Sequence, residues 1–170
     1  MSDNTYLDDL VKYKELIINE LASSKEVLGL LSNNPDIDPD SEEAQNVVAH
    51  NIFDYDYIDS TVERSDAFIM VESELVKPSS STINQWYIYV QVVCAKSYNN
   101  LDKKIFRGVQ GNRRDNLVLE IDKLINGDRE FGIGKLTLIT VGPSSVPNTF
   151  TSSMITYDVN NFRRERLVKK

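Results

Sequence analysis

Near the start of the chain, apolar residues recur at spacings of three, four and seven: Leu7, Leu10, Val11, Ile17, Ile18, Leu21 and Leu28. A helix turning every ~3.6 residues gathers such positions into one stripe, so the spacing predicts helix over residues 5–31. Ser23 followed by Glu26 has the form of a capping box, which predicts a restart near Ser23–Ser24. Asn33-Asn34-Pro35 ends the segment, because proline cannot continue the hydrogen-bond ladder. A loop rich in Pro and Asp fills 33–43, and Ser41 caps a short helix from Glu42 to Asn51. Residues 53–66, FDYDYIDSTVERSD, show no period and are expected to be mostly irregular.

The period then falls to two. Ala67–Val76 reads as one strand and Ile83–Lys96 as the clearest in the chain. Trp86, Ile88, Val90, Val92 and Cys94 point one way, and Tyr87, Tyr89, Gln91, Val93 and Ala95 the other. Both faces are apolar toward the end of this strand, which predicts a central position. KPSSST joins the two strands as a turn. Residues 97–111 form a loop, and Asn112 or Gly111 caps a helix with the stripe Leu117, Val118, Ile121, Leu124 and Ile125, closed by Asn126-Gly127. Lys135–Val141 alternates as a strand, Gly142-Pro143 breaks it, and Phe150–Val159 gives a weaker last strand.

Helix, two strands, helix, two strands is the order of an α+β fold: an N-terminal helix, an antiparallel sheet of about four strands, and a second helix packed on one face. One structural domain over 1–170 is expected, with a helical part at 1–52, a sheet-plus-helix core at 53–162 and a basic tail at 163–170.

Charge argues against one class of function, nucleic-acid binding, and leaves it only as a third reading through two local basic clusters. The 170 residues carry a net charge of −7, whereas a general nucleic-acid binder needs a basic surface to neutralise phosphates. No apolar run approaches the roughly 20 residues of a membrane span. MSDNTYLDDL is acidic and lacks a signal-peptide pattern, so the product is expected to stay in the cytoplasm where it is made. Cys94 is the single cysteine, which rules out an internal disulfide, and its setting in VQVVCA marks it as a small buried hydrophobe.

Catalytic and metal patterns fail on inspection. FGIGKLTL is not a phosphate loop, because Arg129 stands where the first glycine is needed and Leu136 follows the lysine. Its glycines read as a tight turn that starts a strand. Asp36, Asp38, Asp40 and Glu42 alternate like calcium ligands, but Ser41 and Val47 occupy the positions that require glycine and glutamate. Asp54, Asp56 and Asp59 are the material for a metal-dependent hydrolase. With Tyr55 and Tyr57 among them, they fit a protein-binding rim at least as well. A Ser-His-Asp site would rest on His50 alone, at the end of a short helix. No catalytic activity, cofactor or metal is expected.

Two basic clusters remain: Lys103, Lys104, Arg107, Arg113 and Arg114 in one, and Arg163, Arg164, Arg166, Lys169 and Lys170 in the other. Ile105 and Phe106 sit inside the first, and a purely solvated loop has little use for that pair. Residues 102–114 are therefore expected to touch an adjacent subunit or the ring below, with Phe106 as anchor and Arg107 in an ion pair. Arg113 and Arg114 start a helix, where the dipole disfavours cations, which points to an acidic partner outside the chain or to a role in the R-x-D-x-L motif that Arg113 opens. Asp54, Asp56, Arg163 and Arg164 are further interface candidates.

YIDSTVERSDAFIMVE, CAKSYNNL and GNRRDNLVLEIDKLINGDREFGIGKLTL resemble segments of bacteriophage and phage-like neck and tail proteins, with Arg113, Asp115 and Leu117 before FGIG the most recognisable part. The element order is similar to that of tail terminators. That resemblance implies a virion structural subunit, part of a ring of six that caps the tail tube. Its partners would be copies of itself, tube or sheath protein below, and a head-closure or connector protein above. DNA would at most pass through the lumen, and no membrane is involved. A head-closure protein is the alternative within the resemblance.

Overall fold

Tyr13, Ile17 and Leu21 lie one helical turn apart and are all buried, and this stripe orients the first helix, α1 (Asp8–Ser23). The computed structural model describes residues 8–55, 64–76, 83–127, 130–131 and 134–162. Within them the stripe differs from the expected one: Val11 faces solvent, and Tyr13 takes a core place beside Trp86 with ring centroids 5.9 Å apart. The helix restarts one residue later than the capping box implies. Ser24, not Ser23, caps α2 (Lys25–Ser32) by accepting from the Val27 amide at 3.3 Å. Asn33 ends α2 in the left-handed region at φ 63°. Gly29 lets the next turn close over α2, since a Cβ there would meet the Asn34 carbonyl oxygen at 3.0 Å. Ser41 caps α3 (Glu42–Asn51) as expected.

The main sheet is mixed and has five strands: β1 (Ile52–Phe53), β2 (Ala67–Val76), β3 (Ile83–Ala95), β6 (Thr137–Pro143) and β7 (Phe150–Phe162), in the order β1-β2-β3-β7-β6. The expected hairpins are β2–β3 and β6–β7, and antiparallel pairing of β3 with β7 fuses them. The fifth strand, β1, extends the expected four. It pairs parallel with β2 over Ile52↔Ile69 and Phe53↔Met70, too short a segment to show a period. The last strand alternates weakly because both its neighbours are strands and it borders solvent little: Ile155, Tyr157 and Val159 are buried on one side, Ser152 and Thr156 on the other. Strand β6 runs on to Pro143, with a bulge between Leu138 and Thr140. A separate small pair, β4 (Glu130–Phe131) and β5 (Gly134–Lys135), makes the tight turn read from FGIGK.

The helices share one face of the sheet. Trp86, Ile88, Val90, Val92 and Cys94 of β3 form a single core with Leu117, Ile121 and Ile125 of α4 (Arg113–Ile125) and with Tyr13, Ile17 and Leu21 of α1. Leu124, expected in this stripe, is only partly buried, and Ile125 takes the deeper place. The Tyr157 hydroxyl donates to Asp122 Oδ1 at 3.2 Å and ties α4 to β7. The architecture is α+β, with helices on one side of a mainly antiparallel sheet.

Candidate functional site

The opposite face of the sheet can be read strand by strand from the register. Glu74, Tyr87 and Asp158 make one row across β2, β3 and β7, and Glu72, Tyr89 and Thr156 the next. Met70, Gln91 and Met154 make the third, and Phe68, Val93 and Ser152 the fourth. Charge thus gives way to apolar surface along the strands. The apolar end has its own cover. Phe68, Met70, Val93, Ala95 and Phe150 cluster there with Phe53, Tyr98 and Val146. Ser144 pins the β6–β7 connection across them, accepting from Gln91 Nε2 at 2.8 Å. The charged end has no helix over it among the described residues. Tyr87 and Tyr89 stand edge to face at 6.4 Å, and the Tyr89 hydroxyl donates to Glu74 Oε2 at 2.6 Å. Partial burial, followed by that carboxylate, pushes the Tyr89 phenol up to about 12. Between the two ends lies a cleft of about 290 Å³ lined by Met70, Glu72, Tyr89, Gln91 and Met154.

The basic loop is built at the other end of β3. Asp102 starts a tight turn, its side chain accepting from the Lys104 amide at 2.8 Å and its carbonyl from the Phe106 amide at 2.8 Å. Gly108 and Gly111 take φ of +79° and +81°, which brings the chain back to Asn112, the cap of α4. This geometry splits the apolar pair. Phe106 is 5% exposed and belongs to the subunit's own core, while Ile105 is 38% exposed. The expectation of Phe106 as an outward anchor is therefore corrected: it holds the loop from within. Lys103 Nζ donates to the Val109 carbonyl at 2.7 Å. Lys104 and Arg107 are exposed, and neither has an ion-pair partner among the described residues. Beneath the loop a pocket of about 330 Å³ opens between α2 and α4, floored by Leu30, Phe106 and Val109.

Arg113 is a second correction. It is 1% exposed, and its partners are internal. Its Nε donates to the Tyr98 carbonyl at 2.9 Å, Nη2 to Asn33 Oδ1 at 2.7 Å, and Nη1 to the Leu30 carbonyl. The guanidinium lies over the Tyr98 ring, 3.8 Å from its centroid. Burial lowers its pKa from the ordinary value, but an arginine stays protonated at any pH a protein tolerates. The α2 terminus thus supplies carbonyl dipoles where the sequence reading placed an external acid. Arg114 is also spoken for, by Asp115 Oδ1 at 2.7 Å and Thr151 Oγ1 at 2.6 Å.

Asp54 is exposed beside β1, and its carbonyl accepts from Lys14, which also pairs with Glu72 at 3.3 Å. Asp56, Asp59, Arg163 and Arg164 lie outside the described residues. Among the described residues no cluster of His, Cys, Asp or Glu has metal-binding geometry. Cys94 is buried, and burial pushes its thiol up to about 12, far from a nucleophile's range. Sequence reasoning missed one further clamp. Arg64 holds Asp66 through two contacts, at 2.9 and 2.6 Å, and Asn51 bridges Asp66 and the Ala67 carbonyl, fixing β1 to the start of β2. No helix among the described residues is long and apolar enough to cross a membrane.

A family model described as YomW matches residues 24–159, from the cap of α2 to Val159 of β7. No curated protein matches the chain.

Proposed function

The chain belongs to the YomW family, a phage-derived name that makes it phage-associated, and from that premise we propose that it is a non-catalytic structural subunit of a phage neck or tail. Within that role the proposed place is the tail terminator, a ring that closes the tube and offers a surface for head attachment. The observation that carries the reading is the division of the sheet. One face is sealed by the subunit's own helices. The other has no helix over its charged end among the described residues, and Tyr87 and Tyr89 there are of the kind enriched at protein interfaces. A ring needs one patch on each subunit to meet a different patch on the next. The open face and the basic loop, at opposite ends of β3, are two such patches. The proposed partners are copies of this chain, tail-tube or sheath protein on one side and a head-closure protein on the other.

Copy number in assembled particles tests the reading. Quantitative mass spectrometry against a tube protein of known stoichiometry is expected to give several copies per particle, with six the expected number. One copy per particle would refute a ring, and absence from particles would refute a structural role.

A further inference from the structure

We propose that the basic loop of one copy docks on the open sheet face of the next, with Ile105 in the cleft and Lys104 and Arg107 against Glu74 and Asp158. This deepens the ring reading above and rests on it for the partner's identity.

Three observations converge on this pairing. The first is complementary charge. Glu74 and Asp158 flank Tyr87 in one row and have no cation partner among the described residues, while Lys104 and Arg107 have no anion. The neighbouring Glu72 pairs with Lys14 at 3.3 Å, whereas Glu74 and Asp158 accept only neutral donors among the described residues, from Tyr89 at 2.6 Å and from Gln85 Nε2 at 3.1 Å. Such groups steer and orient an encounter between subunits.

The second is shape and chemistry. Met70, Met154 and the Tyr89 ring give the cleft an apolar wall, and methionine adapts to an inserted aliphatic group. Ile105 is the aliphatic group on offer, set between the two free cations and 38% exposed. Lysine and arginine also carry apolar stems, which lie along tyrosine rings while their heads reach carboxylates.

The third is preorganisation and placement. Phe106 in the core, the Asp102 turn and Lys103 on the Val109 carbonyl fix the loop, so little ordering entropy opposes docking. The loop leaves the end of β3 at Ala95, whereas the acidic row crosses β3 at Tyr87 on the face away from the helices. At strand rise that separation is on the order of 25 Å, so the two patches cannot meet within one copy. They meet only between copies, head to tail, which is the arrangement that propagates and closes.

Charge reversal with rescue tests the contact on the full chain, by sedimentation velocity at low salt over a wide concentration range. The wild-type chain is expected to self-associate, more weakly as salt rises. K104E/R107E and E74K/D158K are each expected to weaken association about tenfold or more. The variant carrying all four changes is expected to recover most of the loss. Far-ultraviolet circular dichroism and thermal melts check that every variant is folded. A wild-type chain that stays monomeric throughout overturns the proposal, and so does association indifferent to both reversals or reversals that the combined variant fails to rescue. Ile105→Asp gives an independent arm: it is exposed, so folding is expected to survive, and unchanged association would remove it from the cleft. A ring in particles with these outcomes would overturn this contact alone, whereas one copy per particle would overturn the ring reading itself.

Discussion

The covered face of the sheet and its open face are made from alternate residues of the same strands, yet they answer to different demands. On the covered face, Trp86, Ile88, Val90 and Val92 are fully buried against helix residues, and Arg113, a charged group buried in that layer, is satisfied inside the subunit. On the open face, the charged groups of the first row have no oppositely charged partner among the described residues. Stability therefore resides on the covered side, and the open side is free to be chosen for recognition. Arg113 and Arg107 make the same point within one segment. Six positions apart and alike in sequence, one is 1% exposed and holds the fold while the other stands in solvent.

The comparison breaks most readily at Arg113. Arg113→Ala leaves the Leu30 and Tyr98 carbonyls and Asn33 Oδ1 without their donor, and is expected to cost about 3–5 kcal/mol, read as a shift in the urea midpoint. A loss under about 1 kcal/mol would mean that the guanidinium is not a keystone of the helix layer. Ile121→Ala, a pure packing deletion on the same side, is expected to cost roughly 2–5 kcal/mol by the same measurement.

Alkaline titration separates the faces in another way. The Cys94 thiol, on the covered side, is raised to about 12, by burial above all. Tyr89, on the open side, is also raised to about 12, by partial burial and then by Glu74. Both groups are neutral when protonated and bind their protons more tightly in the folded chain. Their contributions are thus fully present below the ordinary values of 9 and 10, and are lost as pH rises through about 12. Denaturation midpoints should fall between pH 9 and 12, and a rise would contradict the assignment. Glu74→Gln should bring the Tyr89 ionisation, followed by tyrosinate absorbance, back down while leaving Cys94 inert to thiol reagents. The smallest expected effect is on stability itself: Glu74→Gln and Asp158→Asn should each stay within about 0.5 kcal/mol of the wild type. A larger loss would make the open face structural.

Much of this division was legible in the sequence. Period-two alternation in β3 separates the two faces residue by residue, and the caps Ser41 and Asn112 mark their helices where they form. Two kinds of feature were not legible. One is pairing too short to carry a period, as in β1. The other is where an anomalous residue finds its partner. A cation at the start of α4 and a phenylalanine in a basic loop are both visible oddities, and the reading that each requires contact is sound. Only the fold shows that Arg113 finds its acceptors at Leu30 and Asn33, more than seventy positions back, and that Phe106 turns inward while Ile105 does not. Sequence spacing cannot distinguish a partner in the same chain from one in the next.

The strand order carries a consequence in time. Strand β3 sits between β2 and β7, and β7 is the last of the described strands to be made. At a synthesis rate of about 5–20 residues per second, roughly 3–11 s separate the emergence of Ala95 from that of its partner Phe150. Throughout that interval VQVVCA presents one unpaired hydrogen-bonding edge and, until α4 is made partway through it, a less sealed apolar face. The nascent chain is thus most vulnerable to off-pathway pairing in its middle third, and slowing translation after residue 95 should lengthen that exposure. The strand that ends up most protected in the finished subunit is the one that waits longest for shelter.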